Sequence, residues 1–204
     1  ESAALKRLCD HKSKVSAHYF IKNNGEIINL VPDLYEAWHA GTSSWKNCKS
    51  LNKYSIGIEI NNPGHEHKYK DFSSKQMLSV EKLLKYLIKK YKIYYRNVIG
   101  HSDIAPSRKK DPGEKFPWNL LSKKKLCLWH NLDHNKIKIY QGIKLTFQEE
   151  RKFFKNLSKI GYCRIKGLNL KKNNMYLLKA FQRRFRQSLV NGKIDKECYL
   201  ISKS

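Results

Sequence analysis

The stretch "HSDIAPSRKKDPGEKFPW", His101 to Trp118, concentrates residue types that can do chemistry. His101 and Asp111 frame it, with Arg108, Lys109 and Lys110 just before the Asp. An imidazole nitrogen and a carboxylate oxygen are ordinary zinc ligands at about 2.0–2.2 Å, so these two are candidate metal ligands. Lys109 stands two residues before Asp111 and points to the same side of an extended segment. There an ammonium beside a metal-bound water would stabilise an oxyanion. In "YSIGIEI" Glu59 is an acid in an apolar run. It reads either as a strand-end carboxylate facing solvent or as a general base in a cleft, its pKa raised by partial burial. "AWHAGTSSW", Ala37 to Trp45, sets small residues beside Trp38, His39 and Trp45. A ligand could approach the backbone there, although a core Trp and a surface His would give the same pattern.

These residues need a frame. Prolines and a glycine keep the stretch after His101 out of regular structure, which predicts a stiff loop, and "NVIG" before it predicts a short strand. "VSAHYFI" and "NNGEIINLV" predict a β-hairpin around Asn24-Gly25. "YSIGIEI", Tyr54 to Ile60, predicts a central strand. "SSKQMLSVEKLLKYLIKKYK" predicts a Ser-capped helix with Met77, Val80, Leu84, Leu87 and Ile88 on one face. A short amphipathic helix carrying Leu5 and Leu8 comes first. Strands alternating with helices predict an α/β domain with a mixed sheet. After Trp129 a polar linker over 131–145 is expected, then three short helices over 146–204. Thr146 and Glu149 form a capping box for the first of these, Gly161 ends it, and Asp195 caps the third. Leu178, Phe181, Phe185 and Leu189 share a face of the second, which leaves Arg183, Arg184 and Arg186 on its solvated side.

Composition sets bounds. The 204 residues suffice for one ordinary domain and a small one, and 40% hydrophobic content can build a core. No apolar run reaches the roughly 20 residues of a membrane span. The five cysteines are scattered without a C-x-x-C pair, which suggests neither a zinc ribbon nor a disulfide framework. The net charge of +25 comes mostly from lysines spread along the whole chain, a distribution that fits a solvated surface better than a dedicated polyanion site.

Taken in order, "VSAHYFI", "EAWHAGTSSW", "LNKYSIGIEINNPG" and "GHSDIAPSRKKDPGEKFPW" closely resemble the type-2 (AmpD/AmiD-like) zinc-dependent N-acetylmuramoyl-L-alanine amidases over roughly residues 1–130. The resemblance implies a mixed central sheet flanked by helices with Zn2+ in a cleft. It implies zinc ligation by His101 and Asp111, general-base work by Glu59, oxyanion stabilisation by Lys109, and a substrate cleft lined by His39 and Arg108. The planar fork of Arg108 suits a stem-peptide carboxylate. The helices over 146–204 resemble a three-helix peptidoglycan-binding module, with Cys198 where that module carries Thr. The implied partner is peptidoglycan or muropeptide stem peptides rather than a specific nucleic acid, and the implied place is the cell envelope or periplasm rather than the cytoplasm. The family's first zinc His lies on a strand before the N-terminal helix, so a further His before Glu1 is expected, and His18 is not that ligand.

Two other function classes fit parts of the sequence. One is a non-catalytic peptidoglycan recognition protein, against which the intact set Glu59, His101, Lys109 and Asp111 argues. The other is a nucleic-acid binder using "KAFQRRFRQ" as a basic helix.

Overall fold

The computed structural model describes residues 1–204. Helix α1 (Ser2–Cys9) leads to strand β1 (Tyr19–Ile21), which turns at Asn24-Gly25 into β2 (Ile27–Asn29). β1 and β2 pair antiparallel, with Phe20 opposite Ile28, as the Asn-Gly signal predicts. A two-stranded ribbon, β3 (Ser44–Trp45) and β4 (Cys48–Lys49), precedes β5 (Ile58–Ile60). β5 pairs parallel with β1, so the main sheet is mixed, in the order β2-β1-β5. The central strand is thus β1, and β5 lies at the edge of these three, unlike the central position expected for it.

Helix α2 (Ser74–Tyr91) covers one face of this sheet. Ser73 and Gln76 close a reciprocal capping box at its start. Its Val80, Leu83, Leu84 and Leu87 are buried against Tyr19 and Ile21. Burying each such aliphatic side chain contributes about 1.5–3 kcal/mol. Because side chains alternate along a strand, Phe20 and its register partner Glu59 lie on the opposite face. α2 thereby assigns one sheet face to the core and leaves the other for a site.

Val98–Gly100 forms no strand, and the segment after it is not entirely loop. It opens with the one-turn helix α3 (His101–Ile104) and closes with α4 (Trp118–Lys123). Residues 131–145 are likewise folded: α5 (His134–Ile137) buries Ile137, and the Ile143 carbonyl accepts from the Lys196 amide at 2.9 Å.

Three helices follow, α6 (Phe147–Ile160), α7 (Leu170–Phe185) and α8 (Lys196–Lys203), with the caps at Thr146 and Asp195 in place. Their Phe153, Leu157, Phe181 and Tyr199 share one continuous core with Ala40, Trp45, Leu51, Ile104 and Ala105. The junction is tight. Gly161 has φ +140°, and a Cβ there would lie 2.4 Å from the Trp45 ring, so only glycine fits under that indole. The arginines at the C-terminal end of α7 are the largest departure from expectation. Arg183, Arg184 and Arg186 are 9%, 2% and 0% exposed, not solvated, which removes the basic face that a nucleic-acid helix needs. Leu189 lies beyond the helix, which ends at Phe185.

Candidate active site

The loop from His101 to Asp111 closes on itself. The Ser102 amide donates to the Asp111 carbonyl at 2.8 Å. Tyr69 braces the return: its hydroxyl donates to the Pro112 carbonyl at 2.5 Å and accepts from the Lys115 amide at 3.0 Å. This closure brings His101 Nδ1 to 3.0 Å from Asp111 Oδ2. The other ring nitrogen, Nε2, lies 3.2 Å from the Ala40 carbonyl oxygen. A carbonyl can only accept, so Nε2 carries the hydrogen. In a neutral ring Nδ1 then turns a lone pair towards a carboxylate. Two electron-rich atoms so placed call for a cation between them, either a proton or a metal, and a metal-bound His ordinarily gives its second N–H to such a carbonyl. The donor pair fits a zinc ion as two of its ligands. No group of three His, Cys, Asp or Glu side chains within residues 1–204 is placed to hold a metal.

Glu59 stands on the sheet face opposite α2, within electrostatic range of this pair. Its side chain is reached by solvent, yet protein walls surround it closely. That partial dehydration raises its pKa above the ordinary 4.5, and the Asp111 carboxylate adds to the shift, while His101 and Lys109 oppose it. For Asp111 the balance runs the other way. Dehydration pushes it up, but the hydrogen bond and charge of His101, helped by Lys109, outweigh this and hold it below the usual carboxylate range. The two acids are therefore pushed apart, one kept readily ionised and the other disposed to accept a proton.

Arg108 and His39 have structural partners of their own. Arg108 Nη2 donates to the Ala40 carbonyl at 2.7 Å and to the Thr42 carbonyl at 3.0 Å, fixing the Ala37–Thr42 segment over His101. His39 sits against Gly57, where a Cβ would lie 2.3 Å from its ring, and its Nε2 is 3.3 Å from the Ser55 carbonyl oxygen. Burial, with the nearby His18 and His101, lowers its pKa to about 4, so it is neutral at pH 7. His18 is buried, and both of its ring nitrogens bond to backbone, Nδ1 to the Gly57 amide at 3.0 Å and Nε2 to the Tyr35 carbonyl at 2.9 Å. Its ring is thereby committed to the backbone.

Glu59, His101, Lys109 and Asp111 thus come together electrostatically, with Arg108 and His39 at the edge. Sequence reasoning missed the layer beneath. Asp103 is 1% exposed and accepts from the Gly100 amide at 2.8 Å, from Tyr162 Oη at 2.6 Å and from Arg184 Nη1 at 2.8 Å. A signal for Arg184 existed: it follows Leu177 by seven residues and Phe181 by three, the spacing of the buried stripe itself.

A family model described as N-acetylmuramoyl-L-alanine amidase matches residues 1–114. N-acetylmuramoyl-L-alanine amidase AmiD of Escherichia coli (strain K12) is 32% identical over 203 residues, covering 94% of this chain and 73% of that relative. The 1,6-anhydro-N-acetylmuramyl-L-alanine amidase AmpD of Citrobacter freundii is 41% identical over 105 residues, 52% of this chain and 54% of that relative. The chain thus matches about half the length of the second relative. The solved complex of AmiD from E. coli with the substrate anhydro-N-acetylmuramic acid-L-Ala-D-gamma-Glu-L-Lys superimposes with a TM-score of 0.84 at 32% identity, over 99% of this chain and 82% of that one.

Proposed function

The chain belongs to the N-acetylmuramoyl-L-alanine amidase family, and from that premise we propose that it hydrolyses the amide joining the muramic acid lactyl group to L-Ala, in peptidoglycan or in anhydromuropeptides. The observation that carries this reading is the His101–Asp111 pair, its two facing atoms 3.0 Å apart, with Glu59 and Lys109 in electrostatic range. His101 and Asp111 would hold a zinc ion as two of its ligands. When bound, zinc polarises the scissile carbonyl and lowers the pKa of its water to about 7.

The chain's own residues do the rest. Glu59, whose surroundings favour proton uptake, removes the proton of the attacking water and delivers it to the leaving L-Ala nitrogen. Lys109 offers an ammonium to the oxyanion that develops on the carbonyl oxygen. Arg108 bonds to the protein through Nη2, and the remainder of its fork is suited to a stem-peptide carboxylate. His39, held neutral, lines the cleft without adding charge. The helices over 146–204 assist binding to the wall polymer, and the enzyme works in the cell envelope. No helix of the chain is long and apolar enough to cross a membrane.

Mass spectrometry of purified muropeptides tests the reading. Incubation with the protein should release stem peptides with a free L-Ala amine. A chelator should abolish the release and added Zn2+ restore it. Full release by a metal-free preparation would overturn the zinc assignment, and absence of that cleavage in the zinc-loaded protein would overturn the substrate.

A further inference from the structure

We propose that Arg184 of α7 is a positioning residue for the loop that presents His101 and Asp111, so that the C-terminal helices form part of the active-site frame. The proposal rests on the proposed function only for what the loop holds; the positioning itself is a matter of this chain's contacts.

The guanidinium of Arg184 sits at a junction of three segments. Nη1 donates to Asp103 Oδ2 at 2.8 Å, and Nη2 donates to the Val98 carbonyl at 3.0 Å and the Leu128 carbonyl at 3.2 Å. Its plane lies over Trp118 at the head of α4, 4.0 Å from the ring centroid. Val98, Asp103 and Trp118 flank or belong to the loop, and Leu128 lies just after α4, the helix that follows it. The Asp103 oxygen that receives Nη1 also receives the Gly100 amide, the residue immediately before His101. The other Asp103 oxygen receives Tyr162 Oη from the turn after α6. One turn beyond Arg184, Gln187 Nε2 donates to the Phe116 carbonyl at 2.7 Å. The C-terminal segment therefore grips the loop before His101, at Asp103 and after Asp111.

The physical consequence is rotational. α3 is a single turn and cannot hold its own direction. His101 opens it, and the bond between the Ser102 amide and the Asp111 carbonyl transmits any tilt to the second ligand. A buried ion pair, here one Nη1–Oδ2 bond with Nη2 held by two carbonyls, is a stiff anchor for such a turn because its alternatives leave a charge unpaired away from water.

The test uses the full chain and two mild variants. Arg184→Lys keeps the charge but replaces the planar fork, whose two nitrogens reach Asp103, Val98 and Leu128, with a single nitrogen on a shorter, flexible stem. Tyr162→Phe removes one hydroxyl without changing shape. Leu178→Ala, a cavity in the same helix bundle at a side chain that makes none of these hydrogen bonds, serves as a comparison for loss of packing alone. In metal-free protein, site-resolved hydrogen exchange at the Gly100 and Ser102 amides should be about tenfold faster in the first two variants, and near wild type in Leu178→Ala. Zinc affinity by chelator competition should fall about 10- to 100-fold in Arg184→Lys. Wild-type exchange in both variants, or equally fast exchange in Leu178→Ala, would overturn the positioning role. Faster exchange in the variants of a protein that, zinc-loaded and wild type, cleaves no muropeptide would leave the positioning intact and overturn the function instead.

Discussion

Two electrostatically coupled carboxylates carry opposite perturbations, and this asymmetry sets what each can do. Glu59 is raised by dehydration and by the Asp111 charge, whereas Asp111 is lowered by His101 despite its own dehydration. The acid limb of kcat/KM should therefore lie above 4.5, the ordinary Glu value, since a general base works only when ionised. Glu59→Gln should lower kcat on the order of a hundredfold or more and leave zinc affinity within about twofold. Steady-state kinetics with muropeptides and a chelator titration check both, and a near-normal kcat would remove Glu59 from the mechanism. The six proposed site residues stand out in the sequence as residue types in a pattern. Their partners do not. That Arg108 spends Nη2 on the Ala40 and Thr42 carbonyls, or that His39 seats on Gly57, depends on segments that meet only after folding.

Elements fixed by local chemistry were read correctly, and those fixed by distant partners were not. The Asn24-Gly25 hairpin and the caps at Ser73, Thr146 and Asp195 each depend on a few neighbouring residues. Val98, by contrast, looks like strand but gives its carbonyl to Arg184, 86 residues away. The polar 131–145 segment folds onto α8 through backbone contacts that no pattern records. Just before it, His130 is 5% exposed; its Nδ1 accepts from the Leu132 amide and its Nε2 donates to the Phe185 carbonyl, so the ring is held neutral. Burial, then the adjacent His134, lowers its pKa to about 4 from an ordinary 6.5. The unfolded chain thus takes up this proton first as pH falls, and stability present above about 6.5 is lost progressively towards 4. His39 acts in the same sense. Tm measured across this window should decline with falling pH, and His130→Gln should flatten part of the slope. An unchanged slope would show that the proton is accommodated in the folded state.

At the scale of the molecule, the chain reads as an amidase followed by a separable module, yet one core runs through both. Trp45, Leu51, Ile104 and Ala105 pack with Phe153, Leu157 and Phe181. Breaking one buried pair of the Arg184–Asp103 kind by removing a partner costs about 3–5 kcal/mol, a large share of the 5–15 kcal/mol that holds a domain together. Deleting residues 146–204 should accordingly abolish cooperative unfolding and muropeptide turnover together, read by calorimetry and by product formation. A truncated protein that melts cooperatively and turns over soluble muropeptides would assign the helices to wall binding alone. The contact between Arg184 and Asp103 also orders events in time. It spans 81 residues, so at a synthesis rate of roughly 5–20 residues per second the His101 loop leaves the ribosome roughly 4 to 16 seconds before its anchor does. Until that anchor arrives the nascent chain carries the reactive groups without their alignment. Alignment is thereby deferred until the downstream helices have been translated, and a chain released early would carry the loop without its anchor.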